Sequence, residues 1–139
     1  MFLSFFFLTV TMTAQRNTGY ISLSLPDRGI GLMYERNFNH ASAYVSLTKG
    51  KYQINNDSPL NSIRFACGAI KQLNQRSYKF LYGAGLNYSH VWGNSDLPKL
   101  VYFPISFDIA FGGKINKTAV LVLIDPIKKV SQLNFGYTF

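Results

Sequence analysis

The feature that most constrains this chain is a two-residue alternation carried through most of its length. Residues 77–90, SYKFLYGAGLNYSH, place Tyr78, Phe80, Tyr82, Ala84, Leu86, Tyr88 and His90 at one parity. Ser77, Lys79, Leu81, Gly83, Gly85, Asn87 and Ser89 fall at the other. Successive side chains of a strand point to opposite faces, so one face is aromatic and the other small and polar. Residues 99–111 repeat this, with Val101, Phe103, Ile105, Phe107, Ile109 and Phe111 against Tyr102, Pro104, Ser106, Asp108 and Ala110. Residues 131–139 set Leu133, Phe135, Tyr137 and Phe139 against Gln132, Asn134, Gly136 and Thr138. No segment carries an apolar 3.6-residue period long enough to compete.

Five weaker segments share the pattern: 19–25, 29–37, 41–48, 62–72 and 118–125. The last is apolar on both faces, which leaves its orientation open. Clusters of Pro, Gly, Asn and Asp separate the segments, giving eight strands and seven connections. A membrane-crossing strand needs ~9–11 residues, so eight strands use about 80 of the roughly 125 residues that follow a leader. Ten strands would leave under about three residues per connection.

The first fourteen residues are expected to be that leader. MFLSFFFLTVTMTA is an apolar run ending in small residues, as at a secretory cleavage site. It is too short to span a bilayer as a helix, and its amino-terminal part has no Lys or Arg. The Ala14-Gln15 junction resembles cleavage sites of the Bacteroidetes-type lineage. Residues 1–14 are thus read as a signal peptide and 15–139 as one domain.

Which face is apolar decides between a soluble and a membrane barrel. A lipocalin-like barrel would put large apolar residues inside and charges outside; a membrane barrel inverts this. Here Lys79, Asp108, Asn87, Asn134 and Thr138 share parity with glycines, as does Arg64 with Gly68 and Glu35 with Gly31. An eight-stranded bore is only wide enough to be filled by side chains. The opposite faces are almost uncharged and would aggregate in water. The expected fold is therefore all-β: an eight-stranded antiparallel up-and-down transmembrane β-barrel after a cleaved signal peptide. A secreted, soluble, lipocalin-like binder of a small apolar ligand is the alternative.

Two features fit this scheme poorly. Pro104 falls in the middle of the sixth strand, where a bulge is expected to absorb its missing N–H. Tyr44 shares the polar face of the third strand with Ser42 and Ser46.

Four charges fall on interior faces: Glu35, Arg64, Lys79 and Asp108. Two are acidic and two basic, so a paired network is expected to block the bore, with Tyr102 and Asn87 adding hydrogen bonds. Lys79 with Asp108 is the first-choice pair, because their strands are neighbours.

The segment Leu133-Asn134-Phe135-Gly136-Tyr137-Thr138-Phe139 resembles the terminal strand of Gram-negative outer-membrane proteins. Together with the leader, strand number and size, it makes the chain similar to the small barrels of the OmpA-barrel, OmpX and OmpW group. That resemblance implies the cell outer membrane as location, and Leu133, Phe135, Tyr137 and Phe139 as a signal read by the barrel-assembly machinery. It also implies both strand termini in the periplasm, with connections 26–28, 49–61, 91–98 and 125–129 at the cell surface. The polar loop 49–61 is long enough to bind something.

The function expected is a structural or interaction role at the cell surface, alone or beside a larger outer-membrane complex. Two enzyme types occur on this scaffold, lipid A deacylases and palmitoyl transferases, and a lipid A-modifying activity is the second alternative. Their chemistry needs His beside Ser and a carboxylate. Only His40, in a turn, and His90, near Ser89, Ser95 and Asp96, are available. Ser89 and His90 have opposite parity, so no enzyme activity is expected. The single Cys67 forms no metal motif, and neither metal nor cofactor is expected.

Net charge is +8. The basic residues form no stripe, so no nucleic-acid partner is expected. Arg28, Lys49, Lys51, Lys99, Lys128 and Lys129 are expected at the outer rim, and Arg16, Arg36, Lys71, Arg76, Lys114 and Lys117 at the periplasmic rim. Two basic rims around an apolar belt suit phosphate-bearing lipids, lipopolysaccharide included, with Tyr88 and Trp92 as interfacial aromatics.

Overall fold

The computed structural model describes residues 17–52, 60–92 and 104–139. Eight strands follow one another: β1 (Asn17–Leu25), β2 (Gly29–Phe38), β3 (Ala41–Tyr52), β4 (Leu60–Asn74), β5 (Lys79–Trp92), β6 (Ile105–Ile115), β7 (Thr118–Asp125) and β8 (Val130–Thr138). Each pairs antiparallel with its neighbour in sequence, and β8 returns to β1, closing the barrel. The closing ladder runs from Thr18 opposite Thr138 to Leu25 opposite Ser131. Beyond it, Phe139 N–H donates to Asn17 O (2.9 Å) and Asn17 N–H to Phe139 O (3.2 Å). Closure leaves no edge strand to recruit another chain.

β1 begins and β8 ends at what we term the lower end, with the two-residue turns 39–40 and 116–117. Asn39 (φ 48°) and Asn116 (φ 53°) adopt the left-handed backbone these turns require, which Asn tolerates better than most residues. The upper end carries the turns 26–28 and 126–129 and the strand ends at Tyr52, Leu60, Trp92 and Ile105. The expected leader at 1–14, the tip of the polar loop, and Val101, Tyr102 and Phe103 lie outside the described residues.

Several expected boundaries move. β3 and β4 pair as far as Tyr52 opposite Leu60, so the ladder absorbs much of the loop expected at 49–61. β5 runs on to Trp92. Pro104 is not mid-strand: it precedes β6, where no ladder donor is needed. Its carbonyl instead accepts from Ser89 N–H at 2.8 Å, and no bulge is required. The apolar–apolar β7 turns Ala119, Leu121, Leu123 and Asp125 inward and leaves Val120, Val122 and Ile124 outside.

The exterior carries an unbroken apolar belt. Ile21, Leu32, Leu47, Phe65, Leu86, Phe107, Val120 and Phe135, one from each strand in order, are all exposed. Outward-facing cations on the strands sit only near their ends, Lys49 and Lys51 above and Arg36 and Lys71 below. All four described carboxylates, Asp27, Glu35, Asp108 and Asp125, are buried. In water such a surface would drive aggregation; a hydrocarbon surrounding suits it, as in membrane barrels with a polar interior.

Candidate functional site

Among the described residues, chemistry-bearing side chains converge in the bore, and strand parity puts them there. It is stratified into a lower polar layer, an apolar middle and an upper polar layer.

In the lower layer Glu35, from β2, is the hub. Tyr20 Oη donates to its Oε2 and Ser42 Oγ to its Oε1 (2.6 Å). Lys114 Nζ reaches across from β6 to within 3.5 Å of Oε2 and donates to Thr18 Oγ1 at 2.9 Å. Thr18 in turn bonds Thr138 across the closing ladder at 3.0 Å. Nearer the mouth, Gln72 Nε2 donates to Asn37 Oδ1.

The middle layer is apolar. Met33, Tyr44, Ile70, Leu81, Leu121 and Leu123 fill it with alanines between them. Tyr44, the misfit of the sequence pattern, lies against two glycines. A Cβ at Gly68 would come within 2.7 Å of its ring, and one at Gly85 would collide with its hydroxyl. Gly136 gives Tyr20 the same room. Gly68, Gly85 and Gly136 are thus sockets for aromatic side chains. The Tyr44 hydroxyl itself has no protein partner.

In the upper layer Arg64, from β4, pairs with Asp108, from β6. Asn87 Nδ2 donates to Asp108 Oδ1 (3.2 Å) and Asp125 Oδ2 (2.9 Å). Asp125 Oδ1 accepts from Ser106 Oγ and from Ile127 and Lys128 N–H, each at 2.9 Å, so it also folds the β7–β8 turn. Lys128 bends inward from that turn, donating to Asn87 Oδ1 (2.8 Å), Ser89 Oγ (3.1 Å) and Pro104 O (3.0 Å). Burial lowers the pKa of the Lys128 ammonium below its ordinary value; nearby Asp125 opposes this and Arg64 adds to it. Along the β8 wall, Asn134 accepts from Ser22 Oγ (2.6 Å) and Gln132 Nε2 (2.8 Å) and donates to Leu121 O (2.9 Å).

Of the four charges expected inside, Glu35, Arg64 and Asp108 are fully interior. Lys79 is a correction. It sits half-buried at the lower mouth opposite Lys114, whereas Asp108 is opposite Gly85, six residues up β5. Register forbids the Lys79–Asp108 pair; Asp108 takes Arg64 instead. Lys114 and Lys128, expected on the rims, turn inward. Lys114 has the parity of Asp108 and was within reach of the alternation; Lys128 is a turn residue, to which parity does not apply. Asp125, passed over as a connection residue, ends an interior face.

Tyr88 and Trp92 lie on the outer face of β5 towards the upper end, where His90 stacks on Trp92 with ring centroids 5.7 Å apart. His90 thus faces outward, while Ser89 faces the bore and bonds Lys128. Ser95 and Asp96 lie outside the described residues, and His40 is exposed in the β2–β3 turn. Phe135, Tyr137 and Phe139 face outward, with Leu133 half-buried among them. At the lower rim Arg36 lies over Phe38 (5.5 Å) and Lys117 over Tyr137 (5.9 Å). No group of three His, Cys, Asp or Glu able to hold a metal occurs among the described residues.

No protein-family model and no curated protein sequence matches the chain. Among solved structures, the outer membrane protein Ail of Yersinia pestis in a phospholipid bilayer nanodisc aligns with a TM-score of 0.55 and 12% identity, over 91% of this chain and 100% of that one. A crystal structure of Yersinia pestis Ail with the heparin analogue sucrose octasulfate gives 0.47 and 17%, over 90% and 97%. The outer membrane enzyme PagL gives 0.42 and 11%, over 89% and 98%. The nanodisc structure shares the fold of this chain. By fold, the chain is a small eight-stranded β-barrel of the outer-membrane type.

Proposed function

We propose that this protein is an integral outer-membrane barrel with a closed bore, serving a structural or interaction role at the cell surface rather than conducting solutes or catalysing a reaction. One observation carries the reading: charged side chains from non-adjacent strands pair inside the bore in both polar layers, and in the lower one they come from opposite walls. Lys114 to Glu35 spans β6 to β2 below, and Arg64 to Asp108 spans β4 to β6 above. Buried leucine and tyrosine side chains occupy the space between them. Interior charges paired in this way are costly to separate, so the bore stays shut at rest.

In this reading the lower end is periplasmic and the upper end faces outward. The outward row Leu133, Phe135, Tyr137 and Phe139 is what the barrel-assembly machinery reads, and the basic rims contact phosphate-bearing lipids, lipopolysaccharide among them. The absence of catalysis is supported by Ser89 and His90 pointing to opposite faces of β5. Planar-bilayer recording of the purified barrel tests the proposal. No steady conductance above background is expected; regular, large open channels would overturn the closed bore.

A further inference from the structure

We propose that the outer face of β1–β3 is a built site for one membrane lipid whose headgroup carries more than one phosphate charge, headgroup at the upper rim and an acyl chain along the wall. It rests on the membrane reading above. Two adjoining concavities make the site. The upper one is a cleft of about 510 Å³ lined by Arg28, Ile30, Lys49, Lys51 and Asn61. The lower is a shallow apolar depression of about 780 Å³ that runs round the wall from Val120 on β7 through Phe135, Ile21, Leu32 and Leu47 to Phe65 on β4, and its β1–β3 part adjoins the cleft.

The two are continuous along the strands. Ile30 belongs to the cleft and Leu32, the next outward residue of β2, to the depression; Lys49 and Leu47 do the same on β3. Same-face neighbours on a strand are about 6.5–7 Å apart, so the step from cation to hydrocarbon matches the step from headgroup to chain.

The cleft is assembled by a close backbone approach. Lys51 N–H donates to Asp27 O at 2.7 Å, folding the β1–β2 turn onto β3. A Cβ at Gly50 would stand 2.7 Å from that same oxygen, so only glycine lets the turn lie there. Arg28 is thereby held beside Lys49 and Lys51 in a left-handed conformation (φ 46°) that favours glycine or asparagine. The neighbouring carboxylate of Asp27 is buried and accepts from the Ser24 hydroxyl rather than pairing with these cations, and its single negative charge leaves the three of them in excess. Three cations in one cleft call for a multiply charged anion, and the apolar depression beneath makes that anion a lipid.

Native mass spectrometry of the detergent-purified protein tests this, with lipid A carrying two phosphates, phosphatidylglycerol, phosphatidylcholine and inorganic phosphate as separate probes. One lipid A is expected to be retained at least tenfold better than phosphatidylcholine. Each cation near an anionic lipid contributes about fivefold, so the R28Q/K49Q/K51Q variant is expected to lose at least tenfold. K49R/K51R should retain the lipid. L32W/L47W, which fills the depression and leaves every cation in place, should weaken retention as well. All variants are first shown to be folded by heat-modifiability on a semi-native gel. Equal retention by the wild-type and triple-glutamine proteins, equal retention of phosphatidylglycerol, or full competition by equimolar inorganic phosphate would each overturn the site. Open channels in the bilayer recording would overturn the closed bore and leave this measurement unaffected.

Discussion

Lys114 Nζ stands 3.5 Å from Glu35 Oε2, joining β6 to β2 across the bore, while Lys79, its partner in the β5–β6 register, remains at the mouth. Two lysines opposite one another thus have different weight. Lys114→Met would strand a buried carboxylate and is expected to cost about 3–5 kcal/mol. Lys79→Met, at a half-buried rim position, should cost under about 1 kcal/mol. Urea midpoints of the folded barrel in detergent micelles check this. Equal losses would contradict the placement of both residues.

Tyr44 and Gly85 make a second contrast. Gly85→Ala would push a methyl into the tyrosine hydroxyl and the neighbouring strand's backbone, and overpacking of this kind costs about 1–3 kcal/mol. Tyr44→Phe removes a hydroxyl with no protein partner and should change stability by less than about 0.5 kcal/mol. In the double variant the loss caused by Gly85→Ala should shrink. Additive effects would show that ring and glycine do not share the space described.

Cys67, the single cysteine of the chain, is exposed on the outer face of β4 between Phe65 and Ala69. In a bilayer that face lies in hydrocarbon, where a charged thiol reagent does not enter. Labelling by a membrane-impermeant maleimide sulfonate is expected only after unfolding, whereas an apolar maleimide should react with the folded protein. Rapid labelling of the folded, membrane-embedded form by the charged reagent would refute a lipid-facing β4.

Phe139 contributes both a backbone link to Asn17 and an outward ring. Deleting it should lower the heat-modifiable fraction in cells. Phe139→Ala keeps the backbone bonds, so it separates recognition of the ring from closure of the ladder. A loss in both variants assigns the effect to the ring. A loss in the deletion alone assigns it to closure and would contradict an assembly signal centred on this side chain.

Lys128 gives a pH dependence of defined sign. Its folded pKa lies below the ordinary 10.5, so between the two values the unfolded chain binds more protons. Its contribution to stability therefore rises with pH through that window. Measured by urea unfolding from pH 8 to 10.5, the slope of the wild type minus that of Lys128→Met should be positive. A negative difference would mean that the ammonium is stabilised by its acceptors more than burial penalises it.

Parity was legible in the sequence, and depth was not. Alternation identified eight strands and the lipid face, because a one-residue error inverts every side chain. It also placed Glu35, Arg64 and Asp108 inside. How far up the bore each charge sits depends on register between strands, which a single strand's pattern does not contain. Lys79 and Asp108 share the correct faces of adjacent strands and still miss each other by six residues. Pro104 was misplaced because the alternation continues into residues 99–103 and hides where β6 begins. The doubly apolar β7 was ambiguous for the opposite reason: its inward leucines fill a middle layer that a wholly polar bore would lack.

Thr18 and Thr138, bonded at the closing seam, stand 120 positions apart in the chain. The last ladder joins the most distant segments of the barrel, and its loop entropy is spent before any of its bonds reward it. Until β8 docks, β1 and β7 are open templates on which a neighbouring chain could grow. Once it docks, hydrocarbon offers no substitute hydrogen bonds to a seam that begins to part. The seam is thus slow to make and slow to lose, so the persistence of this protein is set by a rate of opening, and its vulnerability is concentrated in the interval before its first and last strands meet.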